Sequence, residues 1–223
     1  MGYYVSRKKP NVLAHQLSSV NFSTTLCPDQ YLCRAQYNQV TSKWELANKS
    51  YICNRRFSHS INKANYVNYS NIADDNYLII ILESPHKDEY DANGKPYGPA
   101  QGKTGCNICT YLEDCLNSQN CPLNQLIDYQ IVLVNAVQFQ ASAGTCPLDK
   151  TLRNQNWKNL FTACGDLNQR INRFVSKNGT HVVSNCCTYC LKDNVTKLLS
   201  KTPNYYVGNH PISWINENYR KLW

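Results

Sequence analysis

The fold of this chain is constrained most by one continuous run of aromatic and aliphatic residues, Tyr77-Leu78-Ile79-Ile80-Ile81-Leu82. A short apolar run bounded by polar residues is typical of a strand with both faces buried, as in the centre of a parallel sheet. The run Ile131-Val132-Leu133-Val134-Asn135 has the same character, and shorter candidates occupy residues 180–184 and 205–207. The sequence therefore predicts a central sheet of about four strands.

Helical segments are predicted between these strands. Residues 108–116 and 186–199 are helix candidates, and 156–176 is predicted to be one long helix with an apolar stripe that we assign to the core. The stripe consists of Trp157, Leu160, Phe161, Cys164, Leu167, Ile171 and Phe174. Because strands alternate with helices, we expect an α/β fold of three layers, α/β/α, with a mostly parallel sheet in the middle.

The predicted α/β domain spans residues 76–223. Residues 1–75 are polar, rich in Asn, Ser and Tyr, and offer only short candidates such as Tyr51-Ile52-Cys53. They show no sustained apolar periodicity. We therefore expect an N-terminal extension packed on the main domain, an organisation that suits a chain of 223 residues.

Polar residues that carry chemistry stand where the predicted strands end. Glu83 follows the first strand, Asn135 ends the second, and His210 follows the fourth. Ligands of open parallel sheets bind at the carboxyl ends of the strands, so these three side chains are predicted to share a site. Taken one by one, Glu83 could be a local cap, Asn135 could hydrogen-bond a turn, and His210 could be a loop histidine.

Three motifs at these strand ends together resemble the uracil-DNA glycosylase superfamily. The motifs are Leu82-Glu83-Ser84-Pro85-His86, Val132-Leu133-Val134-Asn135-Ala136-Val137 and His210-Pro211-Ile212-Ser213-Trp214. A fourth segment, Gly94-Lys95-Pro96-Tyr97-Gly98-Pro99-Ala100-Gln101-Gly102, is similar to the stretch in one branch whose aromatic residue stacks on the extruded base. The resemblance covers about two-thirds of the chain, from the first buried strand onward.

The resemblance implies roles for these residues. Asn135 would read the base edge with its amide, because that group offers both a donor and an acceptor. His210 would donate to the leaving base, and Glu83 would stabilise the cationic sugar or orient water. Trp214 falls at the position of a wedge that fills the gap left by a flipped nucleotide. The remaining base- or nucleotide-binding candidates are Ser84, Pro85, His86, Tyr97 and Asn209.

Two departures from the family pattern keep a second function open. Ser84 occupies the place of the catalytic Asp in one branch, and Leu82 replaces a Gly that lets the backbone approach the ligand. The first hypothesis is a DNA glycosylase that removes uracil or a related altered base. The alternative is an inactive pocket protein that sequesters a nucleotide, including a cyclic signalling nucleotide, or binds DNA without cleaving it.

Twelve cysteines raise the question of metal sites. Cys106, Cys109, Cys115 and Cys121 form the densest group, but no His stands at ligand spacing beside them, so buried reduced thiols are favoured over zinc. The resemblance also allows an iron–sulfur cluster, with Cys27, Cys33, Cys146 and Cys164 as candidate ligands. The spacing of the first two departs from the family pattern, and we expect no cofactor.

The chain is basic, with 23 Lys and Arg against 15 Asp and Glu. An excess of eight positive charges favours a polyanionic partner, so DNA, single- or double-stranded, or a free nucleotide is expected. No apolar stretch reaches the roughly 20 residues that span a bilayer, and no secretory signal is visible. We therefore expect an intracellular protein with no membrane partner.

Overall fold

A computed structural model of the protein describes residues 25–47, 66–86, 89–141 and 150–223. The fold is α/β, with a mostly parallel six-stranded sheet in the order β2-β1-β4-β3-β5-β6. The strands are β1 (Gln30–Asn38), β2 (Lys43–Ala47), β3 (Tyr77–Leu82), β4 (Tyr129–Asn135), β5 (His181–Asn185) and β6 (Tyr205–Val207). Four α-helices occur in this part of the chain: α1 (Lys103–Leu116), α2 (Lys150–Cys164), α3 (Leu167–Val175) and α4 (Tyr189–Leu199).

The apolar run at residues 77–82 forms β3, and the prediction that it is a buried central strand is confirmed. All six residues are buried, and the strand pairs in parallel with β4 on one side and β5 on the other. Its side chains alternate between two cores: Ile79 and Ile81 belong to one, and Leu78 and Ile80 to the other. Since successive residues of a strand point to opposite faces, the sheet has an apolar core on each side.

Helices contribute to both cores. Ile108 and Leu112 of α1 pack in the core that contains Leu78, whereas α2, α3 and α4 supply Trp157, Phe174, Leu191 and others to the opposite core. The single long helix predicted for residues 156–176 is wrong, because α2 ends at Cys164 and α3 begins at Leu167. Gly165 lies between them with φ +57°, a left-handed conformation that suits glycine and ends a helix.

The predicted N-terminal extension contributes two strands to this same sheet. β1 pairs antiparallel with β4, and β2 pairs antiparallel with β1, so the expected number of about four strands is corrected to six in the part of the chain that the structure describes. These strands lack a continuous apolar run because β1 is only partly buried and β2 lies at the sheet edge. The candidate segment at residues 51–53 lies outside the described residues.

Among the helices that the structure describes, none is both long and apolar enough to cross a membrane.

Candidate functional site

A cavity of about 420 Å³ lies at the carboxyl ends of the parallel strands. The volume falls within the ~300–1,000 Å³ common for small-molecule sites. Five residues that the sequence singled out line this cavity: Glu83, Ser84, His86, Asn135 and His210. The structure therefore brings the three strand-end groups to one place, because β3, β4, β5 and β6 run in the same direction and end at one edge of the sheet.

Asn135 is the last residue of β4 and is only 1% exposed. Its backbone N–H donates to Asp29 Oδ1 at 3.1 Å, and its carbonyl oxygen accepts from Arg170 at 2.9 Å. The side-chain Nδ2, by contrast, is buried and has no hydrogen-bond partner among the described residues. A buried unpaired donor costs roughly 1–3 kcal/mol, and a bound acceptor would remove this cost. Hydrogen bonds thus hold the backbone N–H and carbonyl of Asn135, while the side-chain Nδ2 stays available to a ligand.

The groups that hold Asn135 form a buried cluster. Arg170 lies 2.5 Å from Asp29 Oδ2, and Tyr69 donates its hydroxyl to the same oxygen. The side chains of Arg170 and Asp29 are 1% and 0% exposed. Burial works against the charged guanidinium, but the Asp29 and Asp166 carboxylates raise the pKa of Arg170, which therefore remains protonated. No sequence motif pointed to this cluster, which joins Asp29 on the segment before β1 to Arg170 on α3.

Hydrogen bonds from Thr188 hold one of the two carboxylate oxygens of Glu83. Its Oε1 accepts from both the backbone N–H and the hydroxyl of Thr188, the residue before α4. Glu83 thus caps this helix, as a strand-terminating acid can. Its other oxygen, Oε2, lies 3.7 Å from His210 Nε2, beyond hydrogen-bond distance, and both residues line the cavity.

His210 presents a donor to the cavity. Its Nδ1 accepts from the backbone N–H of Ile212 at 3.2 Å, so in the neutral ring the proton is on Nε2. Burial lowers the pKa of His210, although nearby Glu83 acts in the opposite direction. We therefore expect a neutral imidazole at neutral pH with Nε2–H directed toward Glu83 and the cavity.

The C-terminal segment and α1 hold the loop that carries His210 in place. Gly208 lies against the backbone of the C-terminal segment, where an added Cβ would come within 2.8 Å of the Lys221 oxygen. Asn209 N–H donates to that same oxygen at 2.7 Å. From α1, the Asn107 amide donates to the carbonyl oxygen of Pro211 at 2.9 Å. These backbone contacts fix the position of the imidazole.

An aromatic and cationic group forms another wall of the cavity. Trp157 is 1% exposed, as expected for a core residue, yet it also lines the cavity and donates its indole N–H to Ser84 Oγ at 2.9 Å. The Arg153 guanidinium lies 4.5 Å from the Trp157 ring and 4.6 Å from the Tyr189 ring. Tyr189 is 54% exposed and has φ +48°. Sequence reasoning missed Arg153, Thr188 and Tyr189, since no spacing links them to the strand-end motifs.

Three other predicted base-binding residues do not line the cavity. Pro85 is buried beside it. Tyr97 donates its backbone N–H to Glu89 and accepts from Gln30 at its carbonyl oxygen. Asn209 is engaged with the C-terminal segment and with Trp214. Pro85, Tyr97 and Asn209 are thus not among the residues that line this cavity.

Trp214 is 0% exposed, and its indole N–H donates to the Asn209 carbonyl oxygen at 3.0 Å. Its ring belongs to the core that contains Leu78. The role of DNA wedge predicted for Trp214 is therefore wrong for this conformation, because a wedge must protrude from the surface. The apolar side chain of this loop at the cavity is Ile212, which is 42% exposed.

The proposed cluster ligands do not converge. Cys33 belongs to the core on one face of the sheet, whereas Cys164 packs against the core on the other face, so these two thiols cannot bind one iron–sulfur cluster. Cys146 lies outside the described residues, and Cys27 Sγ lies 4.0 Å from the Glu89 carboxylate. Within the described ranges, no group of three or more His, Cys, Asp or Glu side chains is arranged to hold a metal ion.

None of the described cysteines is in a disulfide. Burial raises the pKa of Cys186 to about 12, and burial likewise raises the pKa of Cys115 and Cys187. A thiol with a raised pKa is a poor nucleophile at neutral pH. These three cysteines are therefore core residues and not candidates for nucleophilic catalysis.

No family model matches the chain, and neither a curated protein nor a solved structure matches it.

Proposed function

We propose that this chain has a uracil-DNA glycosylase-like, three-layer α/β/α fold and hydrolyses the N-glycosidic bond of uracil or a related altered base in DNA. The observation that carries the proposal is the unpaired, buried Nδ2 of Asn135, a residue that lines the same cavity as His210 and Glu83. A side-chain amide whose N–H donor is unpaired in the free protein suits the edge of a nucleobase, which offers a donor and an acceptor side by side.

The arrangement suits glycosidic hydrolysis. When the bond between the sugar C1′ and the base nitrogen breaks, its electron pair goes to the base and the sugar becomes cationic. His210 Nε2–H would stabilise the negative charge that develops on a base oxygen. Glu83 Oε2 would stabilise the sugar cation and accept a proton from the water that attacks C1′, while Thr188 holds the other oxygen. The departing base then takes up a proton from solvent.

The close spacing of the two groups fits this reaction. Glu83 Oε2 and His210 Nε2 are 3.7 Å apart. In a pyrimidine nucleotide, C1′ and the base oxygen beside the glycosidic nitrogen are joined through only two intervening atoms. One carboxylate and one donor that are near neighbours can therefore serve both ends of the bond at once.

An abasic-site assay tests the proposal. The protein is incubated with oligonucleotides that each carry one altered base, uracil first, and the products are cleaved with alkali and measured. Strand breaks at the altered base that disappear in the His210→Ala variant would support the proposal. Lys197→Ala, which changes an exposed residue outside the cavity, is the matched control. No cleavage of any substrate by the folded protein would reject hydrolysis.

Binding without cleavage is the second candidate, and the state of the first motif favours it. Ser84 Oγ already accepts from the Trp157 indole, and Glu83 Oε1 accepts twice from Thr188. Both residues therefore have structural duties, so a pocket that only sequesters a nucleotide is consistent with them. Mass spectrometry of small molecules released from the purified, heat-denatured protein would detect such a nucleotide, and its affinity would be indifferent to competing DNA.

A further inference from the structure

Two helices begin at the cavity, and their first turns differ. The first turn of α4 is capped by Glu83, whose carboxylate accepts the Thr188 N–H. In α1 the cap residue is Gly102, the cap has no side-chain hydrogen bond, and no acidic residue occurs in the first turn. Gly102, Lys103 and Thr104 nevertheless line the cavity. A negative group is thus already present at one helix and missing at the other.

The first backbone N–H groups of a helix have no acceptor within it, and the helix dipole places partial positive charge there. In α1 the first intrahelical bond is donated by Cys106, to the Gly102 oxygen at 3.1 Å. The N–H groups of Lys103 and Thr104 precede this bond and belong to residues at the cavity wall. Glycine at the cap leaves room for an anion to approach the backbone.

A second observation, independent of the helix, shows that this cavity is built for a ligand. Asn135 is 1% exposed and lines the same cavity, and its buried Nδ2 has no hydrogen-bond partner among the described residues. Two cationic side chains also line it, Lys103 and Arg153. The Arg153 guanidinium is held between the rings of Trp157 and Tyr189.

We propose that the N-terminus of α1, together with Lys103 and Arg153, binds a phosphate group attached to the sugar of the base that Asn135 reads. The inference rests on the proposed base pocket and names its ligand more closely as a nucleoside monophosphate unit. The same chemistry is present in a free nucleotide and in an extruded nucleotide within a DNA strand. The α1 backbone would bind the phosphate oxygens, and the two cations would neutralise their charge.

Calorimetric titration of the full-length protein tests the phosphate site. The probes are 2′-deoxyuridine, thymidine and 2′-deoxycytidine, each with its 3′- and 5′-monophosphates, and inorganic phosphate. For at least one base we expect a monophosphate to bind about tenfold or more tightly than its nucleoside, since hydrogen bonds to charged groups are the stronger ones. If every nucleoside that binds does so as tightly as both of its monophosphates, the phosphate site alone is overturned.

Two variants and one control locate the phosphate. Lys103→Ala removes a cation, and Thr104→Pro removes one backbone donor in the first helical turn, where proline is tolerated. Each should reduce the monophosphate advantage and leave nucleoside affinity unchanged. Lys197→Ala removes one positive charge at an exposed position outside the cavity and should preserve the advantage. A full advantage in both α1 variants would overturn the assignment to this helix.

The remaining arms separate this inference from the proposed function. If no nucleoside binds but inorganic phosphate binds and is lost in Lys103→Ala, the phosphate site stands and the base pocket fails. If neither inorganic phosphate nor any monophosphate binds, the phosphate site is overturned. A single-stranded oligonucleotide with one uracil distinguishes the sources: tighter binding than the free monophosphate assigns the phosphate to a DNA strand, and weaker binding assigns it to a free nucleotide. Either result supports a phosphate at α1.

Discussion

Two asparagines are the last residues of β4 and β5, the strands on either side of β3, and their side chains are used in opposite ways. Asn185 ends β5 and is 0% exposed, and three acceptors, Lys192 O, Thr196 Oγ1 and Tyr205 OH, lie 2.9–3.2 Å from its Nδ2, which carries two hydrogens. Asn135 ends β4 and is 1% exposed, but its Nδ2 has no partner among the described residues. Burial alone does not separate the two; the partners of the amide do.

The difference indicates which of these two strand ends serves the fold and which serves a ligand. At Asn185 the amide ties β5 to α4 and β6, so its hydrogen bonds are part of the stability of the protein. At Asn135 the backbone makes the structural hydrogen bonds, to Asp29 and Arg170. The side-chain Nδ2 has no partner among the described residues and is available to a ligand. A site that must bind a polar ligand in this way carries a desolvation cost in its free state.

The largest expected effect tests the cluster that holds Asn135. Asp29→Ala removes the closest carboxylate of the buried Arg170 guanidinium and leaves only the weaker pair with Asp166 at 3.4 Å; breaking a buried ion pair costs about 3–5 kcal/mol in comparable cases. Chemical denaturation should show this loss in the free energy of unfolding. The matched control is Asp75→Ala, which breaks the more exposed pair of Asp75 with Arg34 and should cost at most about 1 kcal/mol. Similar losses in the two variants would show that the cluster does not hold the end of β4.

The next effect concerns His210, which lines the same cavity as Asn135. His210→Ala should lower turnover by on the order of 10²–10³, because the imidazole acts on charge that develops in the transition state. Binding of an uncleaved substrate analogue should change little. Single-turnover kinetics with the analogue titration separates these quantities. If only binding weakens and no turnover exists to lose, the protein sequesters its ligand.

The two asparagines are compared directly by alanine substitution. Asn185→Ala removes the Nδ2 hydrogen bonds that join β5 to α4 and β6 and should lower the free energy of unfolding by about 1–3 kcal/mol while base selectivity is kept. Asn135→Ala removes a donor that has no partner, so stability should stay constant or rise, whereas base discrimination should be abolished. Thermal denaturation and binding of paired bases measure both properties. Equal behaviour of the variants would remove the distinction drawn above.

The smallest effect is a pH dependence. Because the pKa of His210 is lowered by burial, the folded protein holds fewer protons at this site than the unfolded chain as the pH falls below about 6.5. Stability that depends on His210 is therefore present above that value and declines as the pH falls toward the folded pKa. Protonation of Nδ1 also breaks the bond from Ile212. Activity should fall over the same acidic range, and the imidazole resonance of His210 in NMR, assigned by its absence in His210→Ala, should follow it.

Much of the sheet could be predicted because its central strands are buried on both faces and leave apolar runs, as at 77–82. The meeting of Glu83, Asn135 and His210 followed from the common direction of parallel strands. β1 and β2 could not be recognised in this way, since polar residues such as Gln36 and Glu45 interrupt strands that are partly exposed. The buried ion pair of Asp29 and Arg170 joins residues 141 positions apart. Two single residues so far apart leave no local pattern in the sequence.

The contacts that Asp29 makes far along the chain have a consequence for the order of folding. The bond from Asn135 to Asp29 joins residues 106 positions apart, and β1 must pass beside β4 before it can form. Closing such a long loop costs chain entropy before any contact repays it, so local parallel units are favoured early. We expect the end of β4 to acquire its final geometry only when the N-terminal strand docks, which makes the candidate site one of the last parts of the molecule to mature.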